Sequence, residues 1–259
     1  MAFNRGDGPP PWSSSSNEEG SIGLTERAWI DASMDWFEDE FGEEVALREV
    51  ALPTPGFFRS VHNRFGTVDR VNALVSKVRR LMAVDVSTIE VEFFDGVEAV
   101  AGERTVGHYY QEGSSHVVGF DRKEVSDLAY LTAVIAHELC HVRLIGEGRI
   151  SAEREDQERL TDLLTVYLGF GVFTANAAMK FARASRGWQI IPRGYLTDET
   201  LNSATNNGET RRLGYLTQPE FGYALARYCR LRGESRPSWI AHLHPGARTA
   251  LTQSQAGTL

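Results

Sequence analysis

Apolar positions along the first third of the chain recur at helical spacing in two places. From Glu26 to Phe41, the residues Trp29, Ile30, Met34, Trp36, Phe37 and Phe41 predict an amphipathic helix. From Thr67 to Met82, Val68, Val71, Leu74, Val75, Val78 and Leu81 predict a second one. Between them Pro53-Thr54-Pro55-Gly56 marks a turn. The period then changes. Ile89 to Phe93 alternates apolar and acidic residues and runs into Asp95-Gly96, which reads as a strand entering a turn. Thr105–Gln111 and Ser115–Phe120 flank Glu112-Gly113-Ser114 and predict a hairpin.

The helical period returns after this small sheet. Asp121 to Ile145 reads as one long helix with the stripe Leu128, Leu131, Ile135, Leu139 and Val142. Asp121 can cap it, with Glu124 three residues on, and Gly146 is a natural stop. Glu158 to Leu168 predicts another helix, acidic at its start and apolar beyond. The apolar run Leu163–Phe173 is too short to cross a membrane and is interrupted by Gly169 and Gly171, so no stretch is expected to span one. Asn176 to Ser185 continues or restarts helix, Trp188 to Tyr195 is mixed, Thr197-Asp198-Glu199 opens a helix, and Asn202 to Gly208 is loop-like. Thr217 to Gly233 reads as helix, Thr217 and Glu220 forming a capping box ahead of Phe221, Ala224, Leu225, Tyr228 and Leu231. Residues Thr252–Leu259 are expected to fray. The pattern predicts an α+β fold, with a small sheet in the first half and helices dominating the second.

Composition narrows the class. The 259 residues include 27 basic and 35 acidic ones, a net charge of −8, which speaks against a nucleic-acid groove and an anionic membrane surface. With 42% hydrophobic residues the chain can bury a sizeable core. Residues 1–22 lack a hydrophobic leader and are rich in Pro, Ser and Gly, so they read as a disordered tail. Residues 23–259 read as a single domain, with an α+β part to 120 and a helical part from 121. A cytoplasmic location is the default expectation. Cys140 and Cys229 give no disulfide framework, and Cys140 reads as a small core residue.

Candidate chemistry centres on His137-Glu138-Leu139-Cys140-His141. Residues four apart on a helix share a face, so His137 and His141 can offer imidazole nitrogens to one metal ion, with Glu138 beside them. Two histidines hold zinc weakly; a catalytic site adds a third protein ligand and keeps a position open. Glu158 and Asp162, also four apart, offer a ligand and a carboxylate to orient a ligand histidine. Glu153, Glu155, Asp156 and Asp162 itself compete with Glu158 for the third place.

H-E-x-x-H on one helix, then E-x-x-x-D on the next, resembles the gluzincin branch of the zincin metallopeptidases. The resemblance covers about residues 105–175. It implies a zincin-like core and one zinc ion held by His137, His141 and Glu158. It also implies Glu138 as general base, Asp162 as orienting carboxylate, and a peptide or protein substrate laid along a strand near the metal. An Asp as third ligand would instead resemble the aspzincin branch. The family's transition-state donor has no clear counterpart: His108, His116, Tyr109, Tyr110, Tyr195, Tyr215, His242 and His244 read as core or surface aromatics. The competing expectation is a catalytically silent zinc-binding or protein-interaction domain. A structural zinc site, however, fills its places with Cys and His, and Cys is scarce here.

Overall fold

The first helix, α1 (Leu24–Phe41), turns Ile30, Met34, Phe37 and Phe41 inward and ends at Gly42. The computed structural model describes residues 22–85, 89–95, 107–113, 115–184 and 216–256. The short α2 (Glu43–Ala46) follows, then α3 (Pro55–His62). The segment Pro53-Thr54-Pro55-Gly56, read as a turn, is instead a helix start. Thr54 accepts a hydrogen bond from the Phe57 amide, and Pro55 takes the first helical position, where its missing N–H costs nothing. α4 (Thr67–Leu81) buries Val71, Leu74, Val75 and Val78 of its predicted stripe, whereas Val68 and Leu81, at its two ends, are exposed.

Three strands follow: β1 (Ile89–Phe94), β2 (Gly107–Glu112) and β3 (Ser115–Asp121). The sheet order is β1-β3-β2. β1 runs parallel to β3, and β2 forms the expected antiparallel hairpin with it. Among the described residues β2 pairs only with β3, so its outer backbone groups form a sheet edge.

The motif helix, α5 (Leu128–His141), starts later than expected. Asp121 is the last residue of β3, and its side chain accepts from the Lys123 amide in a turn. The cap is Asp127, whose carboxylate accepts from the Tyr130 amide. The α-helix also ends earlier: after His141 the backbone widens into one π-helical turn, Val142–Gly146. The expected single apolar stripe is too modest, because every residue from Tyr130 to His141 is buried. Leu128–Gly146 is in fact long and apolar enough to cross a membrane, contrary to the reading that no stretch is. However, 78% of that apolar window is buried inside the molecule, as in a core helix.

α5 earns this burial by its position. β2, β3, α4, α6 (Gln157–Tyr167) and α7 (Gly171–Ala184) all pack against it. Gly169, at φ +84°, closes α6, and its carbonyl accepts from the Ala51 amide. The C-terminal pair is α8 (Gln218–Leu231) and α9 (Pro245–Ala256), joined through a 3-10 turn at Ser238–His242. α8 carries the Thr217/Glu220 capping box read from the sequence. Gly222 lets α9 approach so closely that a Cβ there would lie 2.6 Å from that of Ala250. α9 continues to Ala256, so most of the segment expected to fray is ordered helix. Residues 1–21 of the expected tail, and the readings at Trp188–Tyr195, Thr197–Glu199 and Asn202–Gly208, lie outside the described residues.

Candidate metal centre

Helix geometry puts the imidazoles of His137 and His141 on one face of α5, with ring centroids 4.9 Å apart and planes at 80°. The first turns of α6 face them. There Glu158 and Asp162, one turn apart, reach the same spot from the opposite side. Glu158 Oε2 lies 3.0 Å from His137 Nε2 and 3.5 Å from His141 Nε2. The three candidate ligand atoms all lie within 4.8 Å of one another. Ligand atoms around a tetrahedral zinc ion sit roughly 3.3 Å apart, and the two distances from Glu158 to the histidines, 3.0 and 3.5 Å, match that spacing. Two imidazoles and a carboxylate also suit zinc and similar borderline cations better than calcium or magnesium.

Hydrogen bonding fixes which ring nitrogens face inward. His137 Nδ1–H donates to Asp162 Oδ1 at 2.8 Å. The Leu216 amide donates to the other oxygen, Oδ2, at 3.0 Å, so this 3%-exposed carboxylate has a partner at each oxygen. On His141, Nδ1 lies 3.3 Å from Thr161 Oγ1. The Thr161 hydroxyl already donates to the Gln157 carbonyl, so its oxygen accepts from His141 Nδ1–H. Both Nδ1–H groups are thereby engaged, which turns the Nε2 atom of each ring toward the place an ion would take.

The charge states follow from these contacts. Burial disfavours the imidazolium of His137, but the hydrogen bonds to Asp162 and Glu158 outweigh it and raise its pKa well above the ordinary value. Burial also works against the Glu158 carboxylate. Hydrogen bonds from His137 and His141 override it and hold the group well below the usual range. Glu138, only 5% exposed, is raised above its ordinary value by burial, with the two histidines pulling the other way. Three carboxylates thus converge on two imidazoles in a buried patch, an arrangement that favours a cation among them.

The structure places the competing acids elsewhere. Asp156 accepts from the Trp29 indole at 2.8 Å and pairs with Arg154. Glu153 bonds to Ser151, and Glu155 is exposed. Among the described residues, His137, His141 and Glu158 are the group of His, Cys, Asp or Glu side chains close enough to share an ion. Cys140 is a buried free thiol.

The sequence reading passed over Gly107 and took Tyr109 and His116 for core or surface aromatics. Gly107 on β2 sits directly over Glu138. Tyr109, two residues on, lays its ring parallel to that of His141, with centroids 6.1 Å apart and planes at 8°. Its hydroxyl is 2.9 Å from His116 Nδ1. Gly146 makes room for both rings, since a Cβ there would meet His116 Cε1 at 2.7 Å and the Tyr109 hydroxyl at 2.8 Å. The alternation of β2 was the available signal, because it puts 107, 109 and 111 on one face. Thr161 was equally detectable, three residues after Glu158 on the ligand helix. His108 and Tyr110 take the opposite face of β2, where both bond to Glu92. His242 and His244 bind Asn176 through their backbones, and Tyr195 and Tyr215 lie outside the described residues.

Comparison with models of known protein families, with curated proteins and with solved structures gives no match.

Proposed function

We propose that this chain is a zinc-dependent metallopeptidase of gluzincin type, with His137, His141 and Glu158 holding one zinc ion. The observation that carries the proposal is the pairing of those three ligand atoms with a buried carboxylate, Asp162, on the outer nitrogen of His137. The order of sheet, motif helix and ligand helix is similar to a minimal zincin core.

Bound there, zinc supplies Lewis acidity at a carbonyl and brings the pKa of an adjacent water toward neutrality. The chain's own residues do the rest. Glu138 accepts the proton of the attacking water and passes it to the leaving amine; burial raises its pKa above the ordinary carboxylate value, which strengthens it as a base. Asp162 and Thr161 hold the ligand rings in one tautomer through the cycle. Among the described residues the outer edge of β2 is unpaired; it begins at Gly107, beside Glu138, and offers backbone groups to an extended peptide. Such binding reads main chain more than side chains, so the substrate class is an unstructured or extended polypeptide segment.

The test is incubation of zinc-loaded protein with a mixture of unstructured peptides, followed by mass spectrometry of new termini. Cleavage by the parent and none by Glu138→Gln at equal metal content supports the proposal. No cleavage by fully loaded parent favours the silent zinc-binding domain.

A further inference from the structure

The turn joining α3 to α4 combines basic charge with exposure. Between Pro55 and Met82 there are six basic residues, Arg59, Arg64, Arg70, Lys77, Arg79 and Arg80, against a single acid, Asp69. The whole chain carries an acidic excess of eight, so this hairpin is a local inversion that the net charge conceals. At its apex nine consecutive residues, His62 to Arg70, are all exposed. Phe65 sits among them at 91% exposure, with Val68 at 52%.

Phe65 is not a loose member of the core. Phe58 and Val61 of the same helix are buried, and Phe57 packs edge-on against Phe58, so α3 meets the core without it. The turn itself is ordered. The Arg64 amide donates to Val61 O, Arg70 Nε donates to Arg64 O at 3.2 Å, and Gly66 takes the left-handed conformation at φ +88°. A fixed backbone therefore holds an aromatic side chain out in water between arginines. Among the described residues no acidic side chain forms an ion pair with Arg59, Arg64 or Arg70.

We propose that this apex docks on an anionic lipid surface, with Phe65 and Val68 entering the headgroup boundary and Arg59, Arg64 and Arg70 meeting lipid phosphates. Opposite charge draws the hairpin in, and the acidic remainder of the chain is repelled, so the molecule approaches with this end first. An aromatic beside an aliphatic residue suits the boundary between headgroup and acyl chain. A nucleic acid would stack on the Phe65 ring beside the same arginines but leave Val68 unused, whereas a headgroup boundary takes both apolar side chains. Guanidinium heads on long alkyl stems can follow phosphates as the ring sinks. The proposal is independent of the metal site.

Co-sedimentation of the full chain with vesicles tests it, using phosphatidylcholine alone and phosphatidylcholine mixed with phosphatidylserine, at about 0.1 M salt. The expected result is binding to the serine-containing vesicles and little to the neutral ones. Each basic charge near an anionic surface is worth roughly fivefold in affinity, and reversal changes two, so Arg64→Glu should weaken binding about 25-fold. Phe65→Ser should weaken it by about tenfold. Both sites are exposed, and unchanged circular dichroism would show the variants folded. Leu47→Ser, at another exposed apolar position, should bind like the parent. Failure to bind serine-containing vesicles, or binding that Arg64→Glu and Phe65→Ser leave intact, overturns the proposal. So does capture of a single-stranded RNA oligomer, lost in the same variants, without vesicle binding.

Discussion

Gly107 on the edge strand and Glu138 on the motif helix meet with no side chain between them. A Cβ at position 107 would lie 2.5 Å from Glu138 Oε1 and 2.6 Å from Val134 Cγ1. The strand that would hold a substrate and the carboxylate that would move its proton are therefore in direct register. Gly107→Ala must push Glu138 aside or lift β2 from α5. Overpacking of this kind costs about 1–3 kcal/mol. The variant is expected to melt several degrees lower and to lose peptide cleavage by a factor of about 100 or more, with zinc content unchanged. Full activity in Gly107→Ala would remove Glu138 from the reaction as drawn.

The supports of the two histidines differ in strength. His137 leans on a buried carboxylate, a charge-assisted bond, and His141 on a neutral hydroxyl at 3.3 Å. Asp162→Asn should weaken zinc affinity by about 10–100-fold, the usual cost of losing an outer carboxylate. Thr161→Val, close in shape, should cost only a few-fold. Competition against a chromogenic chelator measures both; equal effects would mean that the charge on Asp162 does not matter.

Metal and proton compete for His137. In the metal-free protein its raised pKa favours a proton on Nε2, beside Glu158. Zinc binding must expel that proton, so calorimetry in buffers of different ionisation enthalpy should show about one proton released per ion at pH 7. Apparent affinity should climb with pH until the raised His137 pKa is passed, then level off. Stability of the metal-free protein carries the matching signs. The His137 contribution is complete below its ordinary pKa of 6.5 and is lost as pH rises through the raised value. The depressed Glu158 carboxylate contributes above its ordinary 4.5, and that contribution fades as pH falls through the lowered value. Zinc binding without proton release at pH 7 would contradict this charge assignment.

Much of the helical framework was legible because single-residue chemistry decides it locally. The stripes of α1 and α4, the β2–β3 hairpin and the Thr217/Glu220 box all follow from side chains within one or two turns. The start of α5 was not, because Asp121 and Asp127 are equally good caps in isolation. The preference for Asp127 arises from β3 running on to Asp121, paired with Phe94, a contact set by β1 27 residues earlier in the chain. At the site, the i,i+4 spacing within each helix was readable, and so were the residues that spacing could bring together. The contributions of Gly107, Tyr109 and Leu216 were not, because each depends on how separate elements pack rather than on its own neighbours in sequence. The transition-state donor found no counterpart in the sequence reading, and Tyr109 enters the site as a ring stacked on His141.

The central claim is that His137, His141 and Glu158 converge to hold one metal ion. The most direct test is the metal content of purified protein by elemental analysis, beside His137→Ala and Glu158→Gln. About one zinc per chain in the parent, with large losses in both variants, is the predicted result. A parent that holds no metal tightly after zinc is added, or variants that retain it as the parent does, would contradict the claim.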